Sequence, residues 1–200
     1  MTRFLLIRHA ATDAVGKRLS GRMAGIHLNE EGQQQAELMA EWLADVPLAA
    51  VYSSPLERAM ETALPLAKKR VLQVETDAAF IELDFGEWTN FEIDELESQP
   101  AFALFNRFRS VHGVPGGEDM LQAQHRFVQR MQQLSEKHPG QTVAIVSHSD
   151  MIRSALAHYA GIHIDLFQRL EISPAAVSVV EVYEETVRIQ MINAQHVLRF

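Results

Sequence analysis

The chain has 200 residues, 47% hydrophobic and 22% charged, the proportions of one ordinary globular domain with a proper core. Its formal net charge of −8, from 26 acidic against 18 basic residues, is the wrong balance for neutralising a nucleic-acid backbone. No apolar run nears the roughly 18 residues of a membrane span, and the absence of cysteine removes disulfides, thiolate zinc sites and cysteine nucleophiles together. The apolar N-terminal stretch is too short for a signal peptide. The expected compartment is the cytoplasm, with neither membrane nor nucleic acid as partner.

Phe4 to Ile7 is a short continuous apolar run, as expected of a strand buried on both faces. A polar stretch with Gly16 and Gly21 follows. Asn29 then stands as an N-cap before Glu30 and Glu31, ahead of a helical pattern through Ala36, Met39, Ala40 and Leu43. Past Pro47, Ala49 to Ser53 predicts a second buried strand. Ser54-Pro55-Leu56-Glu57 reads as a capping box, with Ser54 as N-cap and Pro55 at the first helical position. A short strand is expected around Leu72 to Glu75. Residues 88–117 are less regular, rich in Phe and acids, and predict a cap segment over a crevice. Within it Phe102, Phe105 and Phe108 would pack a helix onto the domain, while Arg107 and Arg109 form a solvated face or meet a second anionic group of a ligand. Met120 to Leu134 predicts a long helix, Thr142 to Val146 a buried strand, and the segment after it a helix to Ala160 stopped by Gly161. Ala176 to Val182 and Val187 to Ile192 predict a hairpin. The fold class is therefore α/β, one domain over residues 1–200, a three-layer sandwich with a mostly parallel central sheet flanked by helices.

Three chargeable groups share one structural address. Arg8 and His9 directly follow the first strand, Arg58 lies in the first turn after the second, and His148 directly follows the strand from Thr142. In an open α/β sheet the carboxyl ends of parallel strands face one crevice, so these residues converge there. Two arginines, two imidazoles and nearby helix N-termini suit a phosphate-sized anion. A cation in the first turn of a helix opposes the macrodipole. Arg58 would gain from a bound anion, or would simply pair with Glu57, Glu61 or Glu82. Seven of the nine histidines, His27, His112, His125, His138, His158, His163 and His196, have no supporting context. No metal site is expected: no HxH or HExxH pattern occurs, and Arg8 would repel a cation.

Five stretches, taken in order, resemble the histidine phosphatase superfamily in its phosphoglycerate-mutase-like branch. They are Leu6-Ile7-Arg8-His9-Ala10-Ala11-Thr12, the helix start from Leu28 to Ala36, Tyr52-Ser53-Ser54-Pro55-Leu56-Glu57-Arg58-Ala59 through Thr62-Ala63, Glu82 to Trp88, and Val146-Ser147-His148-Ser149-Asp150. The resemblance implies His9 as nucleophile, phosphate binding by Arg8, Arg58 and His148, and general acid duty for Glu82, with Asp84 and Glu87 as rivals in the same loop. It implies no cofactor.

The chain departs from the family pattern at Ala10-Ala11 in place of Gly-Glu, at Val15 in place of a common Asn, and at Ser20 in place of a frequent Gln. Ser20 and Gly21 are candidate contacts to the substrate beyond its phosphate. The expected function is metal-independent hydrolysis of a small phosphorylated metabolite through a phosphohistidine. The alternatives are a phosphoglycerate mutase and a non-catalytic phosphate-binding module on the same fold. A homodimer is compatible with all three.

Overall fold

The computed structural model describes residues 1–195; His196 lies outside them. Six strands form one sheet in the order β3-β2-β4-β1-β5-β6, where β1 is Thr2–Arg8, β2 Leu48–Ser53, β3 Val74–Thr76, β4 Thr142–Ser147, β5 Val177–Val182 and β6 Val187–Ala194. The first four run parallel; β5 pairs antiparallel with β1, and β6 antiparallel with β5. The expected three layers follow from side-chain alternation in the central strands. Phe4 and Leu6 of β1, with Val143 and Ile145 of β4, face one core, and Leu5, Ile7, Ala144 and Val146 face the other. Helices α1 (Glu30–Trp42) and α2 (Glu57–Lys69) close the second core; α5 (Met120–Lys137) and α6 (Ser149–Ala160) close the first. Each fully buried Leu, Ile or Phe contributes about 1.5–3 kcal/mol, so both faces of β1 and β4 hold the sheet centre rigidly. Among the described residues no helix is long and apolar enough to cross a membrane.

Several local expectations hold. The Asn29 side chain accepts from Gly32 N at 2.8 Å to cap α1, and Gly161 stops α6 at φ +67°. Others do not. The capping box at Ser54 does not form: α2 begins at Glu57, and its N-cap, Leu56, makes no side-chain cap bond. The third strand starts later than expected because Leu72 N still bonds Ala67 O at 2.9 Å, in the turn that ends α2 and in which Val71 adopts φ +54°.

Residues 88–117 hold two short helices, α3 (Ile93–Glu97) and α4 (Pro100–Arg107). Trp88, Phe102 and Phe105 pack against one another and into the first core. Phe108 does not join them: it lies past the end of α4 and is 43% exposed. A repeat of three residues advances about 300° on a helix, so the third ring rotates away from the face set by the first. Arg109 is a second correction, because it is neither solvated nor free for a ligand. It is buried, donates to Asp150 Oδ2 at 2.6 Å, and lies between the rings of Phe105 and Phe167 at 4.3 and 4.6 Å. Arg107 is exposed over the Phe108 ring. The base of the segment is clasped: Glu87 N donates to Pro115 O at 3.0 Å and Glu118 N to Asp84 O at 3.0 Å. A Cβ on Gly86 would lie 2.2 Å from Pro115 O, so only glycine permits that approach.

Candidate active site

The site forms where β1 and β4 end side by side. Arg8 is the last residue of β1, and His9 N donates to Ser147 O of β4 at 2.8 Å. The chain after His9 is anchored to both helices of its layer. Ala10 N donates to Thr62 Oγ1 of α2 at 2.9 Å, and Ala11 N donates to Gln35 Oε1 of α1 at 3.0 Å. Gly32 lets α1 come this close, since a Cβ there would sit 2.0 Å from Ala11 O. His9 is thus held by a buried strand behind it and two helices beside it.

His9 Nδ1 lies 2.8 Å from Ala10 O, which only accepts, so Nδ1 carries the hydrogen and Nε2 presents a lone pair. Burial, with Arg58 and Arg8 beside it, pushes the imidazole down to about 3. His9 is therefore neutral across the physiological range. The His148 ring centroid is 5.2 Å away. His148 is fully buried, and burial with Arg58 nearby holds it well below the usual imidazole range. Its Nε2 meets Ser54 Oγ at 2.8 Å, which is where the expected capping hydroxyl went. With Ser54 donating, His148 Nδ1 carries a hydrogen, and that atom is buried without a partner.

Both arginines keep a buried nitrogen free. Arg58 is 3% exposed; its Nη2 donates to Gly21 O at 2.7 Å, while Nη1 has no partner. It does not pair with Glu57, whose Oε1 instead accepts from Gly25 N at 3.0 Å. Arg8 Nη1 donates to Ile172 O at 2.6 Å and its Nε has no partner. Burial lowers the pKa of both guanidiniums from their ordinary value. An unmatched buried donor costs about 1–3 kcal/mol, and more when charged. Orphaned donors of positive or neutral character around one imidazole lone pair form an anion receptacle.

Glu82 Oε2 is 3.8 Å from His148 Nδ1, and its Oε1 accepts from Leu83 N at 2.9 Å. Burial, with Asp150 nearby, raises this carboxyl to about 7, against the pull of Leu83 N, Arg58 and Arg126. It is protonated or poised to be so at neutral pH. The two rivals lie elsewhere: the Asp84 carboxylate is 42% exposed and caps Gly86 N, and Glu87 is exposed.

The crevice has a volume of about 250 Å³ and is lined by Arg8, His9, Arg58 and Glu82, with Val15, Ser20, Gly21, Phe85 and Ile93 around them. Val15, Leu19 and Phe85 make one wall apolar. Ser20 and Gly21 both line it, and the Gly21 carbonyl accepts from Arg58. Ile93 is the residue of 88–117 that reaches the crevice. A larger groove, about 1090 Å³, runs between α1 and α2 past Leu38 and Leu64, away from this chemistry.

Sequence reasoning missed Ser54 as the partner of His148, and it missed Asp150 and Arg153, which also line the crevice. Burial raises the Asp150 carboxyl, but Arg109 and Arg153 outweigh that and hold it low, so it stays charged. Its place in the turn after His148 was the available signal.

Known proteins resemble this chain in sequence and in fold. The profile of the histidine phosphatase superfamily (branch 1) matches residues 4–195. The chain is 30% identical over 189 residues to phosphoserine phosphatase 1 of Hydrogenobacter thermophilus, covering 92% of this chain and 88% of that one. It is 32% identical over 163 residues to a metal-independent phosphoserine phosphatase of Arabidopsis thaliana, covering 77% and 67%. It spans only 51% of the length of several mycobacterial relatives at 33% identity. The solved structure of Bacillus stearothermophilus YhfR superposes with a TM-score of 0.91 at 27% identity, over 98% of this chain and 99% of that one. The fold, the five motifs and these matches agree, and the chain belongs to the histidine phosphatase superfamily as a phosphomonoesterase.

Proposed function

We propose that this phosphatase hydrolyses its substrate in two steps through a phosphohistidine on His9, without a metal. The observation that carries the reading is the set of buried, unpartnered donors, Arg58 Nη1, Arg8 Nε and His148 Nδ1, around the free Nε2 of a neutral His9. The phosphoryl oxygens take those donors. Nε2 attacks phosphorus in line, the P–O bond to the leaving group breaks, and Glu82 gives its proton to the departing alkoxide. Glu82, now a carboxylate, removes a proton from water as that water attacks phosphorus and the P–N bond breaks, returning its electron pair to Nε2. Phosphate leaves, and His9 and Glu82 return to their starting states. The guanidiniums supply the charge that a metal supplies elsewhere.

Residues 88–117 serve as a cap, with Ile93 on the rim. The two phosphoserine phosphatases among the relatives make a phosphorylated hydroxy amino acid the first substrate to test, and the lack of cysteine suits a reducing cytoplasm. The apolar wall at Val15 supports hydrolysis over glycerate mutase chemistry, which needs polar contacts to a carboxylate there.

Two experiments test the reading. Phosphate release should persist, within about twofold, in excess EDTA; a loss restored only by zinc, manganese or magnesium would overturn it. Glu82→Gln should cost an alkyl phosphate about 100-fold or more, and p-nitrophenyl phosphate far less, because p-nitrophenolate leaves without a proton. The sign of the pH effect follows from Glu82 at about 7. The free enzyme needs it protonated, so kcat/KM on the alkyl phosphate should fall as pH rises through about 7, and Glu82→Gln should lack that limb. Equal losses on both substrates would remove Glu82 from the acid role.

A further inference from the structure

Behind the acid loop lies a layer of charge that the phosphate chemistry leaves unused. Arg22, one residue past Gly21, and Arg126, on the second turn of α5, approach the backbone of Glu82 from two sides. Arg22 Nε donates to the Glu82 carbonyl at 2.9 Å and Arg126 Nη2 donates to it at 3.1 Å. Glu118, just ahead of α5, holds both cations. Its Oε2 accepts from Arg22 Nη2 at 2.7 Å and from Arg126 Nη2 at 3.0 Å, and its Oε1 accepts from Arg126 Nε at 2.8 Å. Arg126 Nη1 also donates to Ala79 O at 2.7 Å, so one guanidinium pins the chain on both sides of Ile81.

Two guanidiniums converging on one neutral carbonyl repel each other. Glu118 is the group that makes the arrangement stable, as the shared acceptor of both forks. The Glu82 carbonyl is fixed by the two arginines and its carboxyl by Leu83 N, which leaves that side chain little freedom. The clamp also sets a distance across the site: Gly21 O holds Arg58 on the phosphate, and the next residue, Arg22, holds Glu82. Phosphate receptacle and proton donor are thereby spaced by one dipeptide.

We propose that Glu118, acting through Arg22 and Arg126, is a positioning residue that aims the Glu82 carboxyl at the leaving group and balances the charge around it. The inference rests on Glu82 being the acid. The charged groups facing Glu82 are Asp150 of α6, Arg58 of α2, Arg126 of α5, Arg8 at the end of β1, and Arg22, with His148 Nδ1 at 3.8 Å. Arg126 favours the ionised carboxylate, and Glu118 offsets it. Neutralising Glu118 leaves Arg126 without its carboxylate and Arg22 with only Asp84 Oδ2 at 3.6 Å, so Glu82 loses its proton at lower pH. Removing Arg22 leaves Arg126 paired with Glu118 and takes one cation away from Glu82, so Glu82 keeps its proton to higher pH.

The test compares Glu118→Gln, Arg22→Met and Glu82→Gln with the native enzyme, on an alkyl phosphate and on p-nitrophenyl phosphate across pH. Glu118→Gln and Arg22→Met should each lose roughly tenfold on the alkyl phosphate and about twofold or less on p-nitrophenyl phosphate. The alkaline limb should move about one pH unit down in Glu118→Gln and should move upward in Arg22→Met. Equal losses on both substrates, an unmoved limb and a lowered Tm would make the cluster a stability bridge and overturn the inference. If Glu118→Gln does not fold, Arg22→Met decides, since that side chain is one-third exposed. If Glu82→Gln shows no leaving-group dependence, the acid assignment itself fails; if it does and the other two variants do not, only the positioning role fails.

Discussion

Replacing His9 with alanine is expected to remove the phosphoenzyme entirely and to lower kcat by about 10⁴-fold or more, some 5.5 kcal/mol of barrier. The size follows from the site: His9 presents an uncharged imidazole lone pair beside Arg8 and Arg58, and the other imidazole there does not. His148 is buried, with its Nε2 on the Ser54 hydroxyl. Rapid quenching with labelled substrate and denaturation in alkali should show acid-labile phosphate in the native enzyme and none in the variant. Equal labelling of His9→Ala would place the nucleophile elsewhere. The same substitution has a second signature in stability. His9 titrates at about 3 when folded against about 6.5 unfolded, so the unfolded chain binds more protons between those values. Its contribution to stability is full above about pH 6.5 and is lost as the pH falls toward 3. Acid unfolding of the native protein should therefore be steeper over that range than that of His9→Ala.

Replacing Arg58 with methionine is expected to cost about 10³-fold in kcat/KM, near 4 kcal/mol, while leaving the free protein as stable as before or more so. The two effects have one cause. Arg58 holds a buried cation with an unpartnered Nη1 in the first turn of α2, where the helix dipole also opposes it. That arrangement costs stability until an anion arrives and then contributes to transition-state binding. Methionine keeps the volume and removes the conflict, with loss of the single bond to Gly21 O. Orthovanadate or phosphate should raise the Tm of the native enzyme and leave that of Arg58→Met unchanged. A variant that is destabilised by several kcal/mol yet still binds vanadate would show Arg58 to be a structural group.

The elements that seat the site were legible for local reasons. Continuous apolar runs at Phe4–Ile7 and Thr142–Val146 require strands covered on both faces, and the residues that follow such strands lie at their carboxyl ends. Arg8, His9 and His148 were placed by that rule alone, and Asn29 and Gly161 marked helix ends through chemistry confined to a few neighbouring residues. What stayed hidden was every choice between a local and a distant partner. Ser54 carries all the marks of a helix cap, yet its hydroxyl goes to His148, 94 positions away in sequence. Arg109 looks like a surface cation and is buried between Phe105 and Phe167 against Asp150. Arg22, Glu118 and Arg126 carry no local pattern, although they meet on one carbonyl. The ends of β1 and β4, the caps at Asn29 and Gly161 and the candidates for phosphate binding could be read from the chain, because those depend on periodicity and near neighbours. Packing of distant segments fixed which donors remain unpartnered, because a hydrogen bond is satisfied by whatever group the packed chain brings within about 3 Å.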